Sequence, residues 1–206
     1  MNRLERREEI INLIKKDISI NKISKKLNVA KSTVYYHYKK IKGRKYNKVR
    51  ISKDSKLIGE FLGAFAGDGS FNYDKKKYDY GIRIHLHAID DRQYADYIKN
   101  LVKLAFDKNM FECISKGTHS LTIKFYSKDI YNLIKEYLNT YPKKTYNIYI
   151  KKPIKELDKE FLAYFIRGLV DTDVCVVKSG RIVLGMVTKR IIFQISKILS
   201  CKFEID

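Results

Sequence analysis

Tryptophan is absent from this 206-residue chain, proline occurs twice and cysteine three times. The cysteines (Cys113, Cys175, Cys201) are widely spaced, which excludes a disulfide framework and a CxxC zinc knuckle and predicts a reducing, cytoplasmic setting. No run of about 18 apolar residues exists, so no membrane-spanning helix is expected. The opening MNRLERREEI lacks the apolar stretch of a secretory signal. Acidic residues are the scarcest class relative to need: 23 Asp and Glu face 43 Lys and Arg, a net charge of +20. That excess argues against a neutral metabolic enzyme and for a polyanionic partner. Aromatics at 13% exclude low-complexity disorder, and 45% apolar content suffices for a core in one or two domains.

The charge is uneven. Residues 1–50 hold 16 basic and 4 acidic residues, more than half of the excess. Apolar spacing predicts helices over 3–16 (Ile10, Leu13, Ile14), 20–27 (Ile23, Leu27) and 31–42 (Val34, Tyr38, Ile41). Asn28-Val29-Ala30 reads as a tight turn, and Ser32 as a cap for a helix starting at Thr33. Ser32, Thr33, Tyr36, His37 and Lys40 are left on the outer face. The stretch ISKKLNVAKSTVYYHYKKI resembles the turn and recognition helix of helix-turn-helix proteins, which implies insertion into a DNA major groove. A three-helix bundle with a solvated basic face is the plainer alternative. Arg44 and Lys45 lead into a basic linker, 46–54, that would follow phosphates or act as a solvated hinge. The expected domains are 1–45, all helical, and 55–206.

Residues 55–68 (SKLIGEFLGAFAGD) form a helical pattern with Gly59, Gly63 and Gly67 four apart. Each glycine costs about 1 kcal/mol against alanine in a helix, and close approach of another helix is the use that offsets it. Residues 159–173 (KEFLAYFIRGLVDTD) align with this segment at an offset of 105, matching Gly63 with Gly168 and Asp68 with Asp173. Packing the two helices together brings both aspartates to one place. Two such carboxylates repel unless a divalent cation lies between them, and Mg²⁺ suits an all-oxygen set. A basic protein with an acidic centre points to phosphodiester hydrolysis.

FLGAFAGDG (61–69) and FIRGLVDTDV (165–174) resemble the paired LAGLIDADG motifs of homing endonucleases. The resemblance covers roughly 55–206. It implies an α+β fold, a pseudo-twofold αββαββα repeat with halves 55–140 and 158–206, in which each half lays a saddle-shaped sheet in a major groove of double-stranded DNA. It makes Asp68 and Asp173 the catalytic, metal-holding pair, with Mg²⁺ or another divalent cation. Asp171 pairs with Ala66 and reads as structural.

The intervening residues fit that order. Strands at 70–74 and 80–87 flank a loop containing Lys75 to Lys77; Ile82, Ile84 and Leu86 alternate with Arg83, His85 and His87. Ser70 and Asn72 fall on one face of the first strand. A polar face of this kind reads base edges; a plain solvated face and a His85/His87 metal site are alternatives. A helix over 90–106 (apolar side Tyr97, Leu101, Leu104), strands at 110–116 and 119–126, with Lys124 outward and Leu121, Ile123 and Phe125 inward, and a helix over 127–138 complete the first half. Residues 139–157, with Lys143, Lys144, Lys151, Lys152 and Lys155, connect the halves and read either as a phosphate-contacting connector or as a solvated tether.

The second half departs from the pattern. Val174 replaces Gly69, and if that position needs positive φ a valine is unsuited to it. Strands 174–177 and 181–187 are apolar on both faces, with Lys178 and Arg181 among few polar contacts for DNA. After a helix over 188–201 no further hairpin follows, so the second half reads as truncated, and a homodimer would cover it. Three readings follow: a Mg²⁺-dependent site-specific DNA endonuclease, a regulator on the same scaffold that binds without cutting, and, more weakly, an RNA-handling role.

Overall fold

The computed structural model describes residues 2–43, 49–74, 79–141 and 143–202. Arg44, Lys45, the linker positions 46–48 and the Lys75–Lys77 loop lie outside the described residues. The chain divides into two compact units, Met1–Lys48 and Val49–Asp206.

The first unit holds helices α1 (Arg3–Lys15), α2 (Ile20–Leu27) and α3 (Lys31–Lys42) around Ile10, Ile14, Ile23 and Val34. Asn2 and Glu5 form a reciprocal capping box on α1, satisfying two of its unpaired N–H groups. Ser19 caps α2, which stops at Asn28 in the left-handed region (φ 47°). The third helix differs from expectation. It starts at Lys31, with Ala30 at its cap and no side-chain bond there, so Ser32 is not spent as a cap. Ile41, expected in the core, is exposed at 38%.

The second unit is organised around two helices, α4 (Ser55–Asp68) and α8 (Lys159–Asp173). Their contact is backbone against backbone. A Cβ on Gly63 would collide with the carbonyl oxygen of Phe165, and one on Gly168 with that of Glu60. Those Cβ atoms would lie 2.9 and 2.8 Å from the amide nitrogens of Leu169 and Ala64. Phe165 and Leu169 are Glu60 and Ala64 displaced by 105 residues, so the contacts are reciprocal. Gly59 makes a similar approach to Phe161.

Four antiparallel strands in the order β1-β2-β4-β3 follow α4: β1 (Gly69–Asp74), β2 (Asp79–His87), β3 (Phe111–Ile114) and β4 (Ser120–Tyr126). Helices α5 (Arg92–Phe106) and α6 (Lys128–Tyr137) complete this half. Ile82, Ile84, Leu121, Ile123 and Phe125 are buried beneath the sheet, as the alternation predicts. On α5 the apolar face is Ala95, Ile98, Leu101, Val102 and Ala105, while Leu104 is 61% exposed. The stripe read from the sequence is therefore displaced by about one position. Glu112, at the sheet edge, is held by Arg92 (2.7 Å) and by Lys99.

Residues 139–157 are no tether. They contain β5 (Leu138–Asn139), α7 (Lys144–Asn147), β6 (Tyr149–Ile150) and a 3-10 turn (Ile154–Glu156), with Ile148, Ile150 and Leu157 buried. Val49–Asp54 is likewise packed: Val49 N–H donates to Asp129 and Ser52 N–H to the Ala105 carbonyl. Beyond α8 come β7 (Val174–Val176), β8 (Ile182–Leu184) and α9 (Lys189–Lys202). Gln194 on α9 donates to and accepts from the backbone of Ile150 at 2.8 and 2.9 Å, fixing α9 to β6.

Gly63→Ala and Gly168→Ala are each expected to destabilise the second unit by about 1–3 kcal/mol through overpacking. Gly185→Ala, whose new Cβ would meet nothing nearer than 3.9 Å, should be near neutral. Urea unfolding of the three variants checks this; equal midpoints would contradict the helix contact.

Candidate metal centre and nucleic-acid interface

Helices α4 and α8 both end at an aspartate because the next residue turns into a strand. Gly69 and Val174 occupy matching cap positions, with φ of −76° and −110° and N–H groups bonded to Phe65 and Val170. The expected need for positive φ is wrong: both residues are extended, which valine adopts readily. Gly69 is glycine for a different reason. A Cβ there would strike the Phe65 ring, whereas the matching Val170 presents a small side chain.

The two carboxylates lie at neighbouring helix ends, and the charge of Asp173 acts on Asp68. Asp173 Oδ2 lies against Gly67, is buried and has no hydrogen-bond partner. Burial, then the negative charge of Asp173, pushes Asp68 up to about 6. Burial also raises Asp173. Lys144, from the connector helix α7, is half-buried, and the charges of both aspartates act on it. Its Nζ donates to the carbonyls of Phe65 (3.1 Å), Ala66 (2.9 Å) and Gly67. Desolvation lowers its pKa to about 8, partly offset by attraction to Asp173 and Asp68. Sequence reasoning missed this residue: it is one lysine of a Lys143-Lys144 pair, and nothing local marks which one turns inward.

An orphaned buried carboxylate oxygen and a second carboxylate of raised pKa fit a hard divalent cation. The donor set is small. Among the described residues no group of three or more His, Cys, Asp or Glu side chains could hold a metal, so phosphate oxygens and water would complete the shell. The same holds for His85 and His87, which gather no third ligand among the described residues.

Glu60 is the other missed residue. It is buried at 2%, accepts from Tyr97 Oη at 2.5 Å and pairs with Arg167 Nε at 3.2 Å. Tyr97, expected in the core, is thus half-exposed and holds α5 to α4. Burial and Glu60 push its hydroxyl up to about 12. The Tyr94 hydroxyl is also buried without a partner, and burial raises it strongly.

The outer face of the sheet carries the expected polar set. Strand pairing puts Ser70, Arg83 and Lys124 in one row, and His85 and Thr122 in the next. Asn72 shares the face, opposite Gly81. His85 is fixed between Ser70 (2.8 Å) and Thr122 (3.3 Å), and burial, Arg83 and Lys144 lower its pKa. His87 differs: it pairs with Asp90 at 2.8 Å and sits against His119, closing the turn into α5. Lys178 and Arg181 are exposed at the β7–β8 turn, where Arg181 Nε donates to Ser179.

In the first unit, Ser32, Thr33, Tyr36, His37 and Lys40 line one groove with Arg3, Arg6 and Arg7 of α1. No acidic residue lines it. Lys40 sits 4.6 Å above the Tyr36 ring and lowers its hydroxyl pKa. Burial, then Arg7 and Lys40, lower His37.

No protein-family model matches the chain, and no curated protein is similar to it. Solved structures are similar. Mesophilic variants of the homing endonuclease I-DmoI match with a TM-score of 0.50 at 19% identity, over 71% of this chain and 76% of that one. I-DmoI in complex with DNA and Mn matches with a TM-score of 0.51 at 18% identity, over 71% and 77%. A variant of I-DmoI with its target DNA and Mg matches at 0.51 and 18%, over 71% and 76%. The fold is mixed α+β, that of a LAGLIDADG homing endonuclease.

The raised Asp68 pKa has a pH signature. Between about 4 and 6 the native state holds a proton that the unfolded state has released, so stability falls as pH rises through that window. Asp68→Asn should flatten that slope, leaving the part that the raised Asp173 contributes, and raise the unfolding midpoint at pH 7. Thermal unfolding at about pH 4, 5, 6 and 7 without metal checks this; a variant less stable than wild type at pH 7 would contradict it.

Proposed function

We propose that this chain is a site-specific double-stranded DNA-binding protein of the homing-endonuclease type, hydrolysing phosphodiester bonds with Mg²⁺ or another divalent cation. The observation carrying this is that Asp68 and Asp173 end two helices packed backbone to backbone, with the charge of Asp173 acting on Asp68. The I-DmoI fold, seen with target DNA and divalent metals in that protein, supports the reading.

The residues divide the work. Arg83 and Lys124, in one row of the sheet, attract the phosphate backbone, while Ser70, Asn72 and His85 offer donors and acceptors to base edges. Asp68 and Asp173 hold the cation, which when bound activates water and stabilises charge on the phosphate. The lowered pKa of His85 favours its uncharged ring, whose two nitrogens orient the Ser70 and Thr122 hydroxyls. The first unit, as a helix-turn-helix, adds Tyr36, His37, Lys40, Ser32 and Thr33 as a second, separate contact with the duplex. Arg44 and Lys45 would extend it along the phosphates.

One observation favours a second reading, a regulator that binds without cutting. Lys144 already occupies the carbonyls of residues 65–67, oxygens that would otherwise be open to a cation.

Incubating the protein with a random-duplex library and Mg²⁺ or Mn²⁺ separates the two. Cleavage at a defined site that Asp68→Asn and Asp173→Asn each abolish, with binding retained, is the expected result. Specific binding with no cleavage in any divalent cation would establish the regulator instead. Lys40→Ala and Arg7→Ala should each weaken DNA binding and reduce the slope of log K against log salt by about 0.9. Unchanged slopes would remove the α1–α3 groove from the interface.

A further inference from the structure

Lys144 is half-buried, and its charged end is turned inward. Its ammonium has three N–H donors, and three carbonyl oxygens, at the C-terminal end of α4, accept them. That end carries the partial negative charge of the helix dipole. The negative charges of Asp68 and Asp173 both act on it, yet its bonds go to carbonyls, and Asp173 Oδ2 is left unpartnered. Three oxygens converging on one positive charge, under the influence of two carboxylates, resemble the coordination of a small cation, here covalently tied to the chain.

The arrangement is one-sided. The matching carbonyls on α8 belong to Val170, Asp171 and Thr172. There the Thr172 hydroxyl turns back to Leu169 (3.0 Å) and Gly168 (3.3 Å). The Val170 carbonyl takes the Val174 N–H that matches the Gly69 cap. Lys144 comes from the connector between the halves, so its placement breaks the reciprocity that Gly63 and Gly168 establish.

We propose that Lys144 is a resident cation of the carboxylate centre, standing in for a divalent ion at the α4 helix end and allowing Asp68 and Asp173 to be held together without metal. Asp68 and Asp173 would hold a divalent cation at a centre whose charge Lys144 already partly balances. This rests on the endonuclease reading only where it speaks of metal; the role of Lys144 as a counter-charge stands on the geometry alone.

The test is thermal unfolding of the full chain in EDTA and in excess Ca²⁺ or Mn²⁺. Wild type should shift little between the two. Lys144→Met should unfold about 5 °C or more lower in EDTA and regain most of the loss in Ca²⁺ or Mn²⁺. In the double variant Lys144→Met/Asp68→Asn, measured against Asp68→Asn alone, Lys144→Met should cost little in EDTA, because the charge that Lys144 offsets is already gone. If Lys144 serves only as packing and a carbonyl partner, metal does not restore the midpoint and Lys144→Met costs as much in the Asp68→Asn background as in wild type, and the proposal falls. An unshifted Lys144→Met midpoint overturns it as well. Should Lys144→Met fail to fold, folding of the double variant supports the proposal and its failure refutes it. None of these outcomes depends on DNA cleavage, so an inactive protein would leave this result readable.

Discussion

Everything in the second unit depends on two helix backbones touching. Glycine at 63 and 168 removes the side chains that would hold α4 and α8 apart. Once the axes are that close, the two C-terminal ends emerge at one point, and the strands leaving them must diverge. The carboxylate centre is thus a consequence of packing rather than an independent construction. Glu60, Tyr97 and Arg167 add a polar clasp from α5 and α8. A carboxylate buried at 2% would be costly alone, and two partners offset that cost.

Charge follows the same geometry. A protein of net charge +20 has concentrated negative charge where its two long helices end. Burial raises both aspartates, and the neighbouring carboxylate raises Asp68 further. A cation is the natural remedy. The chain supplies one from α7, and the sheet beside it presents Arg83, Lys124 and a doubly bonded His85. The negative centre and its positive surroundings are thus products of one packing arrangement.

Much of this could be read from the residues themselves. The alternation of Ile82, Ile84 and Leu86 with Arg83 and His85 needs no tertiary information, and period two survives folding unchanged. The 105-residue offset is legible because glycine at fixed spacing is expensive in a helix. Errors arise where tertiary context overrides local pattern. Leu104 looks like core, but the face of α5 is set by the sheet beneath it. Gly69 suggests a strained turn, but its constraint is the Phe65 ring. Residues 139–157 read as a connector because short strands and a four-residue helix leave no periodic trace. Lys144 and Glu60 are illegible for one reason: a charged residue gives no local sign that its charged end will turn inward.

The reciprocal contact also sets where this molecule can tolerate change in length. A residue inserted within α4 or α8 would rotate everything beyond it by about 100°. That swings one aspartate away from its mate and drives a side chain into the opposing backbone. An insertion in the β3–β4 turn around Gly117, where a Cβ would meet nothing within 4 Å, leaves both helices in phase. Drift in loop size and rigidity in helix length are two faces of the same missing side chains.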